Sequence, residues 1–356
     1  MTADIRFERR GRLGVAILDR QQALNALTHD MVRALSRELA GWRDDPGIAA
    51  VLVKAAAGRA FCAGGDILAV TKLAREHGVA AAMPFFHDEY RLNWRIHTYP
   101  KPYVAILDGI TMGGGVGISV HGDFRVATER TQFAMPETGI GFFPDVGATW
   151  FLPHCPGAVG MYLGLTGGRL NGADCLDIGL ATHAVPAARL AALEAEIAES
   201  AAAKDAREAL ADCLAEHAGD VGEHRLRGLR RPLDQCFAAD GLDAIFARLE
   251  AEPGGFGAAQ LAELSRKSPM SLALTFAQLR RGRGLSIEDA LRLEYRIVNR
   301  VLAGHDFAEG VRALLIDKDQ RPQWQHADPV SIPADEVEAY MAPLPDGELT
   351  FDWDGV

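Results

Sequence analysis

The chain contains no Cys-x-x-Cys pair and no His-Glu-x-x-His run, which removes zinc ribbons, dithiol redox modules and zincin-type peptidases. Its five cysteines (Cys62, Cys155, Cys175, Cys213 and Cys236) are odd in number and far apart. Scattered thiols of this kind fit a reducing compartment and offer no disulfide framework. Cationic charge is also scarce: 37 Lys and Arg stand against 48 Asp and Glu, a formal charge of −11. A nucleic acid would meet a repulsive field, so none is expected as a partner. No apolar run approaches the ~20 residues needed to cross a bilayer. The longest, residues 109–120, is broken by glycine. The opening residues, Met1 to Arg10, lack the apolar core of a signal peptide. The expectation is a cytoplasmic protein with no membrane partner.

What the 356 residues do contain is enough apolar material, 48%, to bury a large core. Residues 12–18, 49–53, 103–107 and 124–127 read as strands, being short, apolar and β-branched. Residues 31–42 and 85–97 read as helices, the second stopped by Pro100 and Pro102. Elements taking turns in this way argue for an α/β class with a largely parallel sheet. After Pro186 the chain is rich in Ala, Glu and Leu, and helical patterns recur at 242–249, 272–279 and 287–302. Three regions are expected: a core over 1–186 with the active site, a helical region over 187–325 packing on it, and an irregular acidic tail over 326–356.

The densest chemical signal lies between Gly109 and Gly147. Gly113, Gly114, Gly115 and Gly117 crowd the start of an expected helix, at a cost in backbone entropy. Either the helix packs closely against a neighbour, or its free N–H groups cradle an anion or a transient oxyanion. A P-loop is excluded because Gly117 is followed by Ile118 and Ser119. A serine-hydrolase elbow on Ser119 fails because His121 stands where it needs glycine.

Glu137 and Asp145 lie in an aromatic, apolar stretch with Phe133, Met135, Phe142 and Phe143. Burial raises a carboxyl pKa, which suits a base, nucleophile or acid near neutral pH. The plainer readings are a salt-bridge partner and, for Asp145 after Pro144, a helix cap. Cys62, in Phe61-Cys62-Ala63-Gly64-Gly65-Asp66, has no nearby His and reads as a buried structural thiol. Asp66 is placed to cap the next helix. The histidines show no ligand spacing, so no metal is expected.

Taken together, these segments resemble the enoyl-CoA hydratase/isomerase (crotonase) superfamily. The carriers are Leu24-Asn25-Ala26-Leu27, Phe61 to Asp66, Lys101-Pro102-Tyr103-Val104-Ala105, Gly113 to Gly115 and Met135-Pro136-Glu137. Further matches at residues 85–93, 109–117, 124–129, 135–147 and 310–320 resemble its branch that hydrolyses 3-hydroxyisobutyryl-CoA. The resemblance spans about residues 3–325 of the chain. It implies a crotonase-like (ClpP/crotonase) fold, two roughly perpendicular sheets of repeated ββα units, in place of simple parallel alternation.

It also implies an acyl-CoA substrate whose thioester oxygen sits between the N–H groups of Gly65 and Gly114. Glu137 and Asp145 become the catalytic carboxyls, Glu89 a contact to the 3-hydroxyl, and Ala26, Ala63, Gly64 and Asp66 the lining. Hydratases of the superfamily carry a second glutamate two residues after the glycine triplet. Here that position is Gly117, while Asp145 stands where hydratases commonly have glycine. That departure favours hydrolysis of a short 3-hydroxyacyl-CoA, with Glu137 as nucleophile or general base and valine breakdown as the setting. The alternatives are an enoyl-CoA hydratase or isomerase and a non-catalytic acyl-CoA-binding protein. Coenzyme A enters as part of the substrate, no resident cofactor is expected, and a homo-oligomer is possible. Arg59, Lys72, Arg75, Lys101, Lys318 and Arg321 are the candidates to meet the CoA phosphates.

Overall fold

The computed structural model describes residues 4–345 and 347–353. Nine strands form two sheets: β1 (Ile5–Arg10), β2 (Leu13–Leu18), β3 (Ala50–Ala55), β4 (Ala60–Cys62), β5 (Tyr103–Leu107), β6 (Ile110–Met112), β7 (Phe124–Ala127), β8 (Gln132–Ala134) and β9 (His183–Ala184). The larger sheet has the order β1-β2-β3-β5-β7-β9, and only the β1–β2 pair is antiparallel. The smaller sheet, β4-β6-β8, is parallel throughout.

Successive strands alternate between the sheets. β3, β5 and β7 enter the larger sheet, and each is followed within a few residues by β4, β6 or β8 in the smaller one. A helical segment comes next each time: Ile67–His77, Gly114–Val120 and Glu137–Ile140. This is the expected ββα repeat. Because β4, β6 and β8 are parallel neighbours, the loops leaving their carboxyl ends meet along one edge. Those loops begin at Ala63, Gly113 and Met135, and in parallel α/β sheets that edge is where ligands bind.

Side chains alternate across the larger sheet with the period of a strand. Leu13, Val15, Ile17, Ala50, Leu52, Val104 and Ile106 face a layer that includes Leu193, Ile197, Leu210 and Leu214. Ala16, Leu18, Val51, Val53, Tyr103 and Ala105 face the main core. The helix His29–Asp44 lies on that side, capped by the Thr28 hydroxyl accepting from the Met31 N–H and burying Met31, Leu35, Leu39 and Trp42. Both faces of the sheet are therefore covered, the second by the helices Leu190–Ser200 and Ala206–Glu216.

Two boundary expectations change. The tail from 326 is not irregular throughout: Ala334–Met341 is helical, with Val337 and Met341 buried. Phe351 and Trp353 pack at a tilt against Trp94, and Asp352 pairs with Arg91. Acidic composition concealed this because the binding groups are cationic and aromatic residues some 260 positions earlier. The site is also not confined to 1–186, since Leu314, Leu315 and Lys318 line it. A π-helical turn, Arg312–Ile316, carries those two leucines.

Candidate active site

The edge where the three loops meet opens a cavity of about 720 Å³. The nine residues expected as catalytic or substrate-lining all line it: Ala26, Ala63, Gly64, Gly65, Asp66, Glu89, Gly114, Glu137 and Asp145. The strand order puts the Gly113–Gly114 turn between the Gly65 loop and Glu137. A β-carbon at Gly114 would come within 2.5 Å of Glu89 Oε1 and 3.2 Å of the Gly65 nitrogen. One at Gly113, whose φ is +46°, would come within 3.0 Å of Glu137 Oε1. Glycine is required there by closeness to the carboxyls. The N–H groups of Gly65 and Gly114 find no acceptor among the described residues, which leaves two backbone donors at the cavity wall.

Three buried carboxyls, Glu89, Glu137 and Asp145, line this point, and a fourth, Glu294, stands behind the loop that carries Asp145. Glu89 comes from the helix Val79–His97, and its Oε1 has no hydrogen-bond partner among the described residues. Glu137 opens the short turn Glu137–Ile140 with Oε2 likewise unpartnered. Desolvation pushes both well above the ordinary carboxylate range, and the charge of Asp145 adds to it. Asp145 accepts a 2.9 Å hydrogen bond from the Tyr90 hydroxyl. Burial raises it to about 7, against the lowering effect of that bond. Its side chain caps no helix; only its carbonyl accepts from the Ala148 N–H. Nor does Glu137 form an ion pair among the described residues. The plainer readings of both residues are thereby set aside.

Glu294 is the fourth carboxyl, and sequence reasoning missed it. It lies on the helix Ile287–Val301 and accepts from the Gly147 N–H at 2.8 Å and the Thr149 N–H at 2.9 Å. Burial, with Asp145 next in effect, raises it to about 8. A signal was available. Ile287, Ala290, Leu291, Ile297, Val298 and Val301 form the helix's buried stripe, and Glu294 falls within it at spacings of three, four and seven. A glutamate on an apolar stripe needs a partner inside the protein. Tyr90 gave no such signal beyond standing next to Glu89.

The remaining expectations divide. Asp66 caps its helix by accepting from the Ala69 N–H and pairs with Arg20 at 2.8 Å, so its carboxylate is structurally committed. Cys62 is fully buried with its thiol pushed up to about 12, as a structural thiol should be. The Ser119 hydroxyl donates back to Gly115 O and Val116 O within its own helix, and His121 turns to Val146 O instead. A serine nucleophile is therefore absent from that position. Of the cationic candidates, Lys318 lines the cavity, while Lys101 is occupied by the carbonyls of Trp42 and Asp45. Among the described residues one metal-capable group occurs, Glu196, Cys213 and His217, on the helical layer outside the cavity.

Comparison with known proteins bears directly on this geometry. The family model described as enoyl-CoA hydratase/isomerase matches residues 13–341. The chain belongs to that family. It is 42% identical to the mitochondrial 3-hydroxyisobutyryl-CoA hydrolase of Rattus norvegicus, over 98% of this chain and 91% of the relative. The corresponding protein of Xenopus tropicalis is 44% identical, over 95% and 89%. Two solved structures superpose with a TM-score of 0.91. One, a carnitinyl-CoA dehydratase from Mycobacterium thermoresistibile, is 39% identical and covers 99% of both chains. The other, an enoyl-CoA hydratase from Rhodobacter sphaeroides, is 40% identical and covers 98% of this chain and 100% of its own. These matches establish the crotonase fold of this family member. No helix of the described residues is long and apolar enough to cross a membrane.

Proposed function

We propose that the protein hydrolyses a short 3-hydroxyacyl-CoA thioester, foremost 3-hydroxyisobutyryl-CoA, to the hydroxy acid and coenzyme A. The observation that carries this reading is one unpartnered carboxyl, Glu137, beside two free backbone N–H groups, with Asp145 in the same cavity. The names of the rat and frog relatives support it.

The thioester oxygen enters between the Gly65 and Gly114 N–H groups. Charge develops there on attack, and each donor contributes about 2.7–4 kcal/mol to its stabilisation. Ionised Glu137 starts the attack on the carbonyl carbon, either directly or by taking a proton from water. The carbon–sulfur bond then breaks, its electron pair goes to sulfur, and the Asp145 carboxyl supplies the proton. A thiol pKa of about 8.5 makes only a weak acid necessary, and a group near 7 is well matched. If Glu137 has attacked directly, water then cleaves the acyl–Glu137 anhydride. Glu89, held toward its neutral form, can both donate to and accept from a 3-hydroxyl. Lys318, also at the cavity, meets the phosphates of coenzyme A. Coenzyme A arrives with the substrate, and the reading calls for no resident cofactor. Five free buried thiols suit a reducing interior such as the cytoplasm, whereas the relatives' names place them in mitochondria.

A second reading, addition or removal of water across a double bond, has the names of the two superposed structures in its favour. It would need Asp145 as the second carboxyl. The substrate itself is tested by comparing thiol release from 3-hydroxyisobutyryl-CoA and isobutyryl-CoA. A site that hydrogen-bonds the hydroxyl prefers the first by at least ~10²-fold in kcat/KM. Equal rates would dismiss the hydroxyacyl assignment.

A further inference from the structure

We propose that Glu294 is the positioning residue for the Asp145 carboxyl, acting from behind through the backbone of the loop that carries it. This deepens the hydrolase reading and rests on it.

The loop from 144 to 149 has a conformation that its own residues do not favour. Val146, a β-branched residue, has φ +55°, and Gly147 has φ +89°. Strain of this kind persists only where the surroundings over-determine it. Three neutral contacts contribute: Gln278 Nε2 donates to Pro144 O at 2.6 Å, His121 Nε2 to Val146 O at 2.8 Å, and Tyr90 to Asp145 itself. Glu294 adds the fork, one oxygen on the Gly147 N–H and the other on the Thr149 N–H. It thus fixes the chain immediately after the strained residue and sets the direction in which Asp145 leaves the loop.

Glu294 is fully buried and has no Arg, Lys or His counter-ion among the described residues. Such a site holds a charge at a high desolvation cost, and an uncharged residue would be cheaper to bury. What a carboxyl adds is two oxygens on one planar group, one for each of the two backbone N–H groups. The charge of Asp145 raises Glu294, so of the two Asp145 gives up its proton first and Glu294 acts on it through the loop geometry. The other titratable groups around Asp145 are Glu89 and Tyr90 from one helix and Glu137 from its turn. His121, kept neutral by burial that lowers it to about 3, lies against the loop, and Lys318 and Arg20 share the cavity.

The test follows thiol release from 3-hydroxyisobutyryl-CoA against pH for the wild type, Glu294→Gln and Glu294→Asp. In parallel, NMR of protein carrying ¹³C-aspartate titrates Asp145 without substrate, assigned with Asp145→Asn. Wild type that releases no thiol sinks the hydrolase reading, and the proposal with it as a statement about catalysis; the NMR titration separately reads the Glu294–Asp145 coupling. In Glu294→Gln, kcat falls at least ~10-fold with KM within about threefold. Its alkaline limb and the Asp145 midpoint both move down, because a loosened loop lets that buried carboxyl out toward solvent. Glu294→Asp keeps both oxygens but withdraws them by one methylene from the Gly147 and Thr149 N–H groups, so its kcat falls as well. Should Glu294→Gln not fold, Glu294→Asp decides: unchanged kcat overturns the positioning. A folded Glu294→Gln with full kcat, or with lowered kcat and an unmoved Asp145 midpoint, overturns the proposal.

Discussion

Gly117 lies so close to Val146 that a β-carbon at 117 would be 2.7 Å from Val146 Cβ. It would also be 2.7 Å from the buried amide of Asn93. Position 117 is where hydratases of the superfamily were expected to carry their second glutamate. That space is taken here by the residue next to Asp145. The loop that delivers Asp145 therefore closes position 117 to a larger side chain.

Restoring the missing glutamate should then fail to restore hydration. Gly117→Glu forces side-chain atoms into Val146 and Asn93, a strain of about 1–3 kcal/mol before any charge is buried. The expected variant melts several degrees below wild type and adds no water to crotonyl-CoA. A stable Gly117→Glu protein that hydrates the enoyl ester contradicts the steric argument.

Glu137→Gln keeps the shape of the side chain and removes its basicity. Turnover should fall by ~10²–10⁴-fold, the usual contribution of a positioned base, with CoA-ester affinity nearly unchanged. Isothermal titration with the unreacted ester and a thiol assay separate the two. Near-wild-type turnover in this variant would remove Glu137 from the chemistry.

The buried carboxyls also set how stability responds to pH. Asp145 and Glu294 are raised to about 7 and about 8, so the folded state binds protons that the unfolded chain has released. Their protonated forms stabilise the fold fully below the ordinary carboxylate range. That contribution is lost as pH rises through the raised values. Asp145→Asn removes the part due to Asp145, on the order of a few kcal/mol. Its melting temperature should gain on that of the wild type between pH 5 and pH 8. Parallel curves would show that Asp145 titrates normally.

Much of the scaffold was legible because its buried strands read as apolar, β-branched runs bounded by turn residues. Residues 103–107 and 124–127 read from pattern alone are β5 and β7 to the residue. β4, β6 and β8 were not legible. Three residues each, they are too short for a period to register, yet their ends carry the site. Glu137, Asp145, Asp66 and the glycine loop drew notice from local pattern, the resemblance gave them roles and supplied the rest of the nine, and all nine line one cavity. Tyr90, Gln278 and Glu294 escaped because each acts on the Asp145 loop from 55 to 147 positions away. Local spacing does not encode such partners. The glutamate on an apolar stripe was the one readable trace.

The tail offers a prediction about stability. The Trp353 ring lies 4.6 Å from the Arg43 guanidinium carbon and packs on Trp94 and Tyr99. Trp94 belongs to the helix that also presents Glu89 and Tyr90. Trp353→Ala should cost about 2 kcal/mol through lost apolar burial and cation–π attraction. Chemical denaturation measures it, and a change under ~0.5 kcal/mol would mean the tail does not brace the helix.

The central claim, hydrolysis in place of hydration, is tested most directly by one paired assay. The purified protein is given 3-hydroxyisobutyryl-CoA and crotonyl-CoA in separate reactions, with free thiol and enoyl absorbance followed in both. The account predicts thiol release from the first and no loss of absorbance from the second. Loss of enoyl absorbance without free thiol would contradict it and make the protein a hydratase; silence in both reactions would leave an acyl-CoA-binding protein.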